Sequence, residues 1–472
     1  MMRIHKVCES AAMRSQRSKL KAQSGQVLIL GLSMMLVLVI ILLSLFNYGR
    51  LLNAKAKQVH TVDAAAYSGA LIQARALNMQ SYINIAQVGH QVAMAHLVTL
   101  ASWAKFSATE SRQYLSANPP SYLIGMMFGA SHQNAYAASR RATSIMSIAE
   151  RGNELEQRYA KHDEIVNNVL LEVANAVRNN QRSSRNAAIQ AVIAANYPHN
   201  EVSAVDKVFV STDTSMFKKK LQWQIVDGDV DGFTSSYAPS GNYRSLIKSV
   251  ASVYKFLDPR NETTRNNWLV SHRCPHLRHE LRRRGETTLN DKGIWQSIDT
   301  QSFHALRSNR WIGCYHREYP MGWGWVSGRF NNVPKGMEYT EEPPDNFSNQ
   351  DFWRWVRSAT TWGLLGGRQN PLANSRAYVS RTQWGGGGLV PFIDINQEGQ
   401  DKLAFQLILK GPEVDGHLIT VSASAETFFE RYKSRTDGKH EKANLWHPYW
   451  LAHLVPNLRI ATDALGLSKF SE

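Results

Sequence analysis

The 472-residue sequence predicts a single N-terminal transmembrane helix, a long α-helical stalk or hairpin, and then a mixed α+β extracytoplasmic domain. Three observations predict this fold class: an uncharged apolar run, the absence of proline before Pro119, and a change of composition after Pro198. The predicted parts are a basic cytoplasmic tail (1–24), a transmembrane helix (25–49), a helical stalk or hairpin region (50–200) and an α+β periplasmic domain (201–472).

The composition excludes several classes of protein. A hydrophobic share of 43% is ordinary for a globular chain and excludes wholesale disorder. Three cysteines are too few for a disulfide-dense scaffold or a cysteine-rich zinc array. The formal net charge is +16, so we expect anionic partners.

The uncharged run extends from Gly25 to Gly49 and reads GQVLILGLSMMLVLVIILLSLFNYG. As a helix it rises about 37 Å, which exceeds the roughly 30 Å hydrocarbon core of a bilayer. We therefore predict a membrane anchor, with Val27, Leu36 and Leu45 in contact with membrane lipid.

Charges on either side of the run predict its orientation. The tail before it carries six basic residues and one acidic residue, Glu9, whereas the nearest charges after it are more balanced. The excess of positive charge on the cytoplasmic side places the N-terminus in the cytoplasm. We expect an inner-membrane protein whose bulk is periplasmic.

Two other interpretations of the run are less favoured than an anchor. A cleaved secretory signal has a shorter apolar stretch, and the first Ala-x-Ala, at Ala54–Ala56, comes well after this one has ended. A buried helix of a soluble protein seldom needs so many consecutive apolar residues.

The region after the run is predicted to be helical because it lacks proline up to Pro119. A 3-4 spacing of apolar and small residues runs along it: Val62, Ala65, Gly69, Ile72, Ala76, Met79, Ile83, Ala86, His90, Ala93, Leu97 and Leu100. Such a stripe fits a coiled-coil homo-oligomer, and equally an αα-hairpin that turns at Asn118–Pro120.

Beyond Pro198 the sequence has scattered glycine and proline, short apolar runs and many aromatics. Alternation in residues 403–409 and 418–423, around a turn at Gly411–Gly416, predicts a β-hairpin. Residues 424–433 (SAETFFERYK) are predicted to form a short helix.

Four short segments carry a resemblance to a known family. Ser24–Gln26 opens the apolar run, Asn47–Arg50 closes it, and Val62–Ala70 (VDAAAYSGA) follows. Near the C-terminus, Asn444–Leu454 reads NLWHPYWLAHL. The N-terminal quarter resembles the TadE/TadG-like proteins of tight-adherence (Tad, Flp-type) pilus systems, and the C-terminal segment is similar to a closing motif of Tad-associated membrane proteins.

The resemblance implies a function. We expect a non-enzymatic, single-pass inner-membrane component of a Tad-like (Flp) pilus assembly or secretion apparatus, whose periplasmic domain contacts other pilus-assembly or secretion proteins. Prepilin-like members are cut after a glycine and carry Glu five residues later, where this chain has Leu30 if Gly25 is that glycine. We therefore expect an uncleaved anchor. The interaction candidates are Ala65, Gly69, Trp446, Tyr449 and Trp450.

One acidic segment has the opening pattern of a calcium loop. Asp227, Asp229, Asp231 and Gly232 form D-x-D-x-D-G, in which alternating carboxylates converge on the ion. The twelfth position, where such loops have Glu, is Ala238. This departure favours an acidic solvated turn, and we predict no metal ion and no cofactor.

A second group combines cysteine and histidine: His272, Cys274, His276, His279, Cys314 and His316. It has enough nitrogen and sulfur ligands for zinc, but its spacing matches no common finger. In an oxidising periplasm a disulfide between Cys274 and Cys314 is favoured, with free thiols as another alternative. Closing that loop would stabilise the fold by about 4 kcal/mol in the chain-entropy model.

Seven of the 13 tryptophans fall between Trp295 and Trp362. The pairs Trp323/Trp325 and Trp353/Trp355 each point one way from a strand, which fits core packing or an aromatic platform. A platform is the basis of the alternative function, a membrane-anchored periplasmic glycan-binding or adhesin module. The run Arg282–Arg284 is typical of nucleic-acid binding, but a periplasmic location excludes that partner.

Catalytic motifs are absent from the sequence in their recognisable forms. We find no G-x-S-x-G, no H-E-x-x-H, no P-loop and no dinucleotide-binding glycine motif, and Gly385–Gly388 lacks the lysine of a phosphate cradle. We predict that the protein is not an enzyme, although a dispersed triad leaves no local signature.

Overall fold

The computed structural model describes residues 24–141, 152–205, 220–227, 247–248, 254–327 and 402–457. One helix, α1, covers Ser24–Leu115 without a break. It is long and apolar enough to cross a membrane, and no part of its most apolar stretch is buried. The prediction of a long N-terminal apolar helix followed by a mixed α+β part is thereby confirmed.

Shorter helices follow α1. They are α2 (Ser121–Phe128), α3 (Ala130–Ala138), a 3-10 turn (Ser139–Arg141), α4 (Gly152–Glu164), a π-helical segment (Ile165–Leu170) and α5 (Leu171–Asn196). The chain reverses after Leu115, where Ala117 has φ +53° and Pro119 blocks further helix. Ile189 and Ile193 of α5 pack on Val62 and Ala66, so α5 lies against α1 as in an αα-hairpin.

Sheet A has five described strands. In their order across the sheet they are β1 (Glu201–Ala204), β2 (Lys220–Asp227), β7 (Lys402–Val414), β8 (His417–Phe429) and β9 (Trp450–Val455), and β3 to β6 form the second sheet. β1 is parallel to β2, and the other pairs are antiparallel. The predicted hairpin is β7–β8, which turns at Asp415 and Gly416, both with positive φ.

Sheet B is an antiparallel meander of four described strands: β3 (Glu262–Arg265), β4 (Glu280–Leu289), β5 (Trp295–Asn309) and β6 (Gly313–Ser327). A bulge between Gln301 and Ser302 interrupts the β5–β6 register. A disulfide joins Cys274, before β4, to Cys314 of β6, with 6.0 Å between the Cα atoms. These are the two cysteines paired in the sequence prediction.

The core lies where α1 contacts both sheets. Val62, Ala65 and Ala70 of α1 pack with Phe405 and Leu407 of sheet A. Farther along the helix, the cluster around Val88, Ala95 and Val98 includes Trp295 of sheet B and Trp446. Beyond the apolar run, α1 is therefore a core helix that both sheets pack against, rather than a free stalk. The boundary predicted at residue 200 stays a prediction.

The helix predicted over 424–433 is wrong. Residues up to Phe429 belong to β8, which pairs with β7 on one side and β9 on the other. Ala425 and Thr427 are fully buried between the ladders and α1. Hydrogen bonding on both edges outweighs the weak helix preference of this stretch.

The predicted stripe on α1 also needs correction. Its first members, Val62 and Ala65, are fully buried, but Met79 is 46% exposed. The buried face instead includes polar residues: Gln73, Gln80, Asn84, Gln87 and Gln91. The prediction counted only apolar and small residues as buried. Because the buried face also contains amides, the predicted stripe and the buried face include different residues.

Candidate functional site

The candidate site is the face of α1 between Gln58 and Glu110, which we call the clamp face. Here three parts of the chain that are distant in sequence attach to the continuation of the apolar helix: the β7–β8 hairpin, the C-terminal aromatic motif and sheet B. Each attachment uses a polar side chain of α1 in addition to apolar packing.

The attachment nearest the apolar run holds the β7–β8 hairpin. Gln58 is fully buried, and its Nε2 donates to the carbonyl oxygens of Leu409 (3.1 Å), Gly411 (2.7 Å) and Ile419 (3.2 Å). At the hairpin tip, Arg50 and Asp415 form an exposed ion pair of 3.3 Å. One amide thus fixes both strands at the point where α1 leaves its apolar run.

Farther along, the hairpin approaches α1 more closely. Thr427 Oγ1 donates to the carbonyl oxygen of Ala70 at 3.0 Å. A Cβ atom on Gly69 would lie 2.9 Å from Ile189 Cδ1 and 3.1 Å from Phe405 Cζ. A side chain here would require Ile189 and Phe405 to shift, so glycine allows α1 to pack closely between α5 and sheet A.

The second attachment holds the C-terminal motif. Asn78 donates through Nδ2 to the carbonyl oxygen of Trp450 and accepts the Trp450 backbone N–H through Oδ1, both at 2.9 Å. Asn84 Nδ2 donates to the carbonyl oxygen of Leu445 at 2.8 Å. The two asparagines bind the backbone of the motif at both ends, so its position does not depend on aromatic packing alone.

The motif has its own polar core around Glu441. Arg431 donates to Glu441 at 2.5 Å, and His447 Nδ1 contacts the other carboxylate oxygen. Asn444 accepts the backbone N–H groups of Trp446 (2.8 Å) and His447 (2.9 Å). Burial opposes ionisation, but the hydrogen bonds from His447, Arg431 and Asn444 prevail and lower the pKa of Glu441. The motif is a compact turn organised by a carboxylate.

The third attachment holds sheet B through buried charge. Ser102 Oγ donates to Asp299 Oδ2 at 2.8 Å, and Asp299 Oδ1 accepts from Arg260 and Arg283, each at 2.8 Å. Asp299 is fully buried and Arg283 is 3% exposed. Two arginines on one carboxylate form a desolvated network in which each charge has a partner.

Glycines of β6 let the sheet approach the helix. A Cβ on Gly324 would collide with the Ser102 carbonyl oxygen and would lie 2.7 Å from the Phe106 nitrogen. A Cβ on Gly322 would meet the side chains of Phe106 and Glu110 at 2.9 Å. The alternation Gly-Trp-Gly-Trp over 322–325 therefore turns its glycines toward α1 and its tryptophans away from it.

Glu110 is the carboxyl group at the far end of the clamp face. It is 3% exposed, and burial raises its pKa to about 8 although the charge of Arg283 acts in the opposite direction. Burial likewise lowers the pKa of Arg283 to about 10, and its guanidinium lies 4.1 Å from the centre of the Phe106 ring. Near neutral pH, Glu110 is thus largely uncharged.

The sequence-predicted anchor and interaction residues occupy opposite environments. Val27, Leu36 and Leu45 are 59–68% exposed on the apolar run. Ala65, Trp446 and Trp450 are buried at 0–2% exposure, and Gly69 is packed against α5 and sheet A. Tyr449 is half-buried and stacks on His447. Ala65, Trp446 and Trp450 pack inside this chain, where α1 meets the sheets and the C-terminal motif. Their contact with other proteins stays a prediction.

The other predicted site residues are partly outside the described chain. Asp227 ends β2, whereas Asp229 and Asp231 lie outside the described residues, as do Trp353, Trp355 and Gly385–Gly388. Trp325 is 8% exposed, so it packs inside the protein. Among the described residues, no group of three or more His, Cys, Asp or Glu side chains is placed to hold a metal ion.

The sequence interpretation missed the residues that make the attachments. They are Gln58, Asn78, Asn84, Ser102 and Asp299. A signal was present, since amide residues recur at helical spacing in an otherwise alanine-rich stretch. The partner segments are more than 190 residues away, however, and nothing local identifies them.

Comparison with known proteins finds a family match at the start of the chain. Residues 25–75 match the family described as putative Flp pilus-assembly TadE/G-like (Tad). The match covers the apolar run and the first part of the clamp face, including Gln58 and Gly69. No curated protein and no solved structure matches the chain.

Proposed function

We propose that the protein is a non-enzymatic, single-pass inner-membrane component of a Tad-like (Flp) pilus-assembly or secretion apparatus. The Tad match on residues 25–75 carries the proposal, because it falls on the apolar run and on the helix that continues from it. We further propose that the bulk of the chain is periplasmic and contacts other proteins of the apparatus.

The distribution of charge supports the proposed orientation. Residues 1–24 have a net charge of +5, which is typical of a segment retained in the cytoplasm. The disulfide between Cys274 and Cys314 fits an oxidising compartment on the other side of the membrane. Both observations agree with a periplasmic location for sheet B.

The clamp face supports a mechanical role for α1. Hydrogen bonds from Gln58, Asn78 and Ser102 attach both sheets and the C-terminal motif to one helix. That helix is continuous with the apolar run, so the domain is held directly on the anchor with no linker between them. Such a protein presents its domain at a fixed orientation to the membrane.

The test is a detergent-solubilised affinity purification of the tagged full-length protein from fractionated membranes of its native host. Co-purification with pilus-assembly proteins from the inner-membrane fraction is the expected result. Recovery alone, or from the soluble fraction, would contradict the proposal. Labelling of a cysteine introduced at exposed Lys161 in a Cys8→Ser background, by a reagent that does not cross membranes, tests the periplasmic location.

A further inference from the structure

The end of sheet B that lies away from the apolar run has an unusual surface, which we call the distal pole. It consists of residues 265–279 and of the β5–β6 turn with its flanks, residues 307–317. Trp311 at the turn is 90% exposed and Ile312 is 70% exposed. Trp268 and Leu269, each 43% exposed, and Leu277, 39% exposed, belong to the same pole. Exposed apolar side chains that are grouped in one region and rimmed by polar residues mark contact surfaces, in contrast to ones scattered singly.

The charge of the distal pole has a single sign. Its two segments contain six arginines and no aspartate or glutamate: Arg265, Arg273, Arg278, Arg307, Arg310 and Arg317. Arg265 pairs with Glu280 at 2.9 Å, and Glu280 itself is 6% exposed. The pole therefore combines apolar anchors with an excess of positive charge.

The two segments of the pole are fixed to each other. The disulfide between Cys274 and Cys314 joins them covalently. His316 Nε2 lies 2.9 Å from the carbonyl oxygen of Arg278, and the Leu306 N–H donates to His279 Nδ1 at 2.7 Å. A surface held in this way loses little conformational freedom when it binds.

The pole lies far from the membrane that would hold α1. Along sheet B, Trp295 contacts Gln91, Asp299 contacts Ser102 and Gly322 approaches Glu110, so β5 runs in the direction of α1. From Arg50 to Leu115 the helix rises about 98 Å. The β5–β6 turn projects toward that far end, out of reach of the lipid around the apolar run.

We propose that the distal pole docks onto an acidic surface of another protein, with Trp311 as the buried anchor. Tryptophan and arginine dominate the binding energy of protein interfaces, and opposite charge speeds and orients association. The inference rests on the proposed function in one respect, namely that the apolar run is in the membrane. Its ligand class is a carboxylate-rimmed apolar pocket on a protein of the same compartment.

The test is photo-crosslinking of the full-length protein in membranes of the native host, with p-benzoylphenylalanine in place of Ile312. We expect one main adduct whose crosslinked peptide comes from a protein segment rich in Asp and Glu. The double charge reversal Arg307→Glu/Arg310→Glu should lower adduct yield at least about 10-fold, as expected for loss of paired charges at an interface. Lys161→Glu/Lys439→Glu, a reversal of equal charge at exposed positions outside the pole, should leave the yield unchanged.

A complementary reversal provides the decisive arm. Replacing the acidic residues of the crosslinked segment by Lys should restore the adduct with Arg307→Glu/Arg310→Glu. An adduct with lipid, an adduct insensitive to the Arg reversal, no adduct at all, or failure of the complementary variant overturns the proposal. Absence of thiol labelling under non-reducing conditions, with each variant in a Cys8→Ser background, shows that the disulfide has formed and the pole is folded.

The same cells separate this inference from the proposed function. Membrane fractionation and co-purification with pilus-assembly proteins report on the proposed function. A membrane-bound protein with those partners but without a charge-dependent adduct overturns only the docking inference. A charge-dependent adduct to an acidic protein outside any pilus apparatus overturns only the proposed function.

Discussion

The two parts of α1 differ in what their side chains contact. Residues 27–49 present large aliphatic side chains that are exposed, Leu28 by 72% and Met34 by 70%. The clamp face of the same helix is buried, and among its apolar side chains it contains alanine, serine, threonine and amides, with Gln58 and Ser102 at 0% exposure. Exposed aliphatic side chains therefore identify the segment suited to lipid, whereas buried polar side chains that hydrogen-bond to distant strands identify the segment that carries the domain.

The physical reason is the closeness of packing. Near Gly324 the strand lies so close to the backbone of α1 at Ser102 and Phe106 that no side chain fits on the strand at this position. Amides reach farther and satisfy backbone groups of the C-terminal motif, as Asn78 does for Trp450.

The largest effect is expected at the buried charge network. Asp299→Ala leaves Arg260 and Arg283 without their shared carboxylate, so we expect a loss of about 3–5 kcal/mol in the free energy of unfolding. The measurement is denaturant unfolding of the detergent-solubilised full chain. Asp291→Ala, at an exposed position in the β4–β5 turn, is the control and should cost less than about 0.5 kcal/mol. Equal losses would contradict the role of the network.

The apolar run should respond to charge in its centre. Leu36→Arg should impair membrane insertion by about 3 kcal/mol, roughly a 100-fold shift in partition. The measurement is the ratio of membrane to soluble protein after fractionation. Leu52→Arg, which is also on an exposed face of α1 but beyond the run, should remain with the membranes. A Leu36→Arg protein that partitions fully with membranes would refute the anchor.

The clamp face should give the protein a pH-dependent stability through Glu110. Its pKa is raised by burial from 4.5 to about 8, so between these values the unfolded chain releases a proton that the folded chain keeps. The contribution of Glu110 to stability is full below pH 4.5 and is lost as pH rises toward 8, by up to about 1.4 kcal/mol per pH unit.

The measurement for Glu110 is the free energy of unfolding at about pH 5.5 and about pH 7.5, two values inside this window. The difference between the two free energies should shrink in Glu110→Gln, since the amide does not titrate. Glu172→Gln, at an exposed position on α5, should retain the wild-type difference. If the difference in unfolding free energy between the two pH values is the same in Glu110→Gln as in the wild type, this carboxyl group does not cause the pH dependence.

The attachment of the C-terminal motif should have a moderate effect. Asn78→Ala removes two hydrogen bonds to the backbone of Trp450, so we expect a loss of about 1–3 kcal/mol. Protease cleavage after residue 430 should become faster in parallel. Asn53→Ala, at an exposed position of the same helix, should change neither quantity measurably. Equal stability and equal cleavage rates in the two variants would contradict the role of Asn78 in holding the C-terminal motif.

The smallest effect is expected at two helical glycines, where substitution by alanine should change the stability in opposite directions. No atom lies within 4 Å of the position that a Cβ on Gly49 would occupy, so Gly49→Ala should stabilise the helix by up to about 1 kcal/mol. Gly69→Ala gains the same propensity but meets Ile189 and Phe405, so we expect a net loss of about 1 kcal/mol. Thermal unfolding of both variants gives the comparison, and the same sign for both would contradict it.

The sequence predicted the elements whose signal is local. The apolar run needs only a count of consecutive residues, and the β7–β8 hairpin needs only alternation around Gly411–Gly416. Prediction failed for 424–433 because this strand has a ladder on each edge, which no local preference reports. The prediction of which face of α1 is buried failed for a similar reason. Gln58 and Asn84 lie on the buried face, where they donate hydrogen bonds to carbonyl groups that are distant in sequence.

The candidate site was predictable only in part. The family match and the sequence resemblance both fall on the start of α1, and the aromatic C-terminal motif is recognisable as a unit. Its attachment to Asn78 and Asn84 depends on a separation of more than 350 residues. The network at Asp299 has no local signal, because a lone aspartate in a polar strand resembles a solvated one until Ser102 and two arginines surround it.

The uninterrupted course of α1 has a mechanical consequence. No proline and no turn divides Ser24 from Leu115, and both sheets are hydrogen-bonded to the part of the helix that lies beyond the apolar run. A helix without a hinge transmits axial displacement and torque with little loss. A push or twist applied to the end in the bilayer would therefore arrive about 100 Å away as nearly the same push or twist.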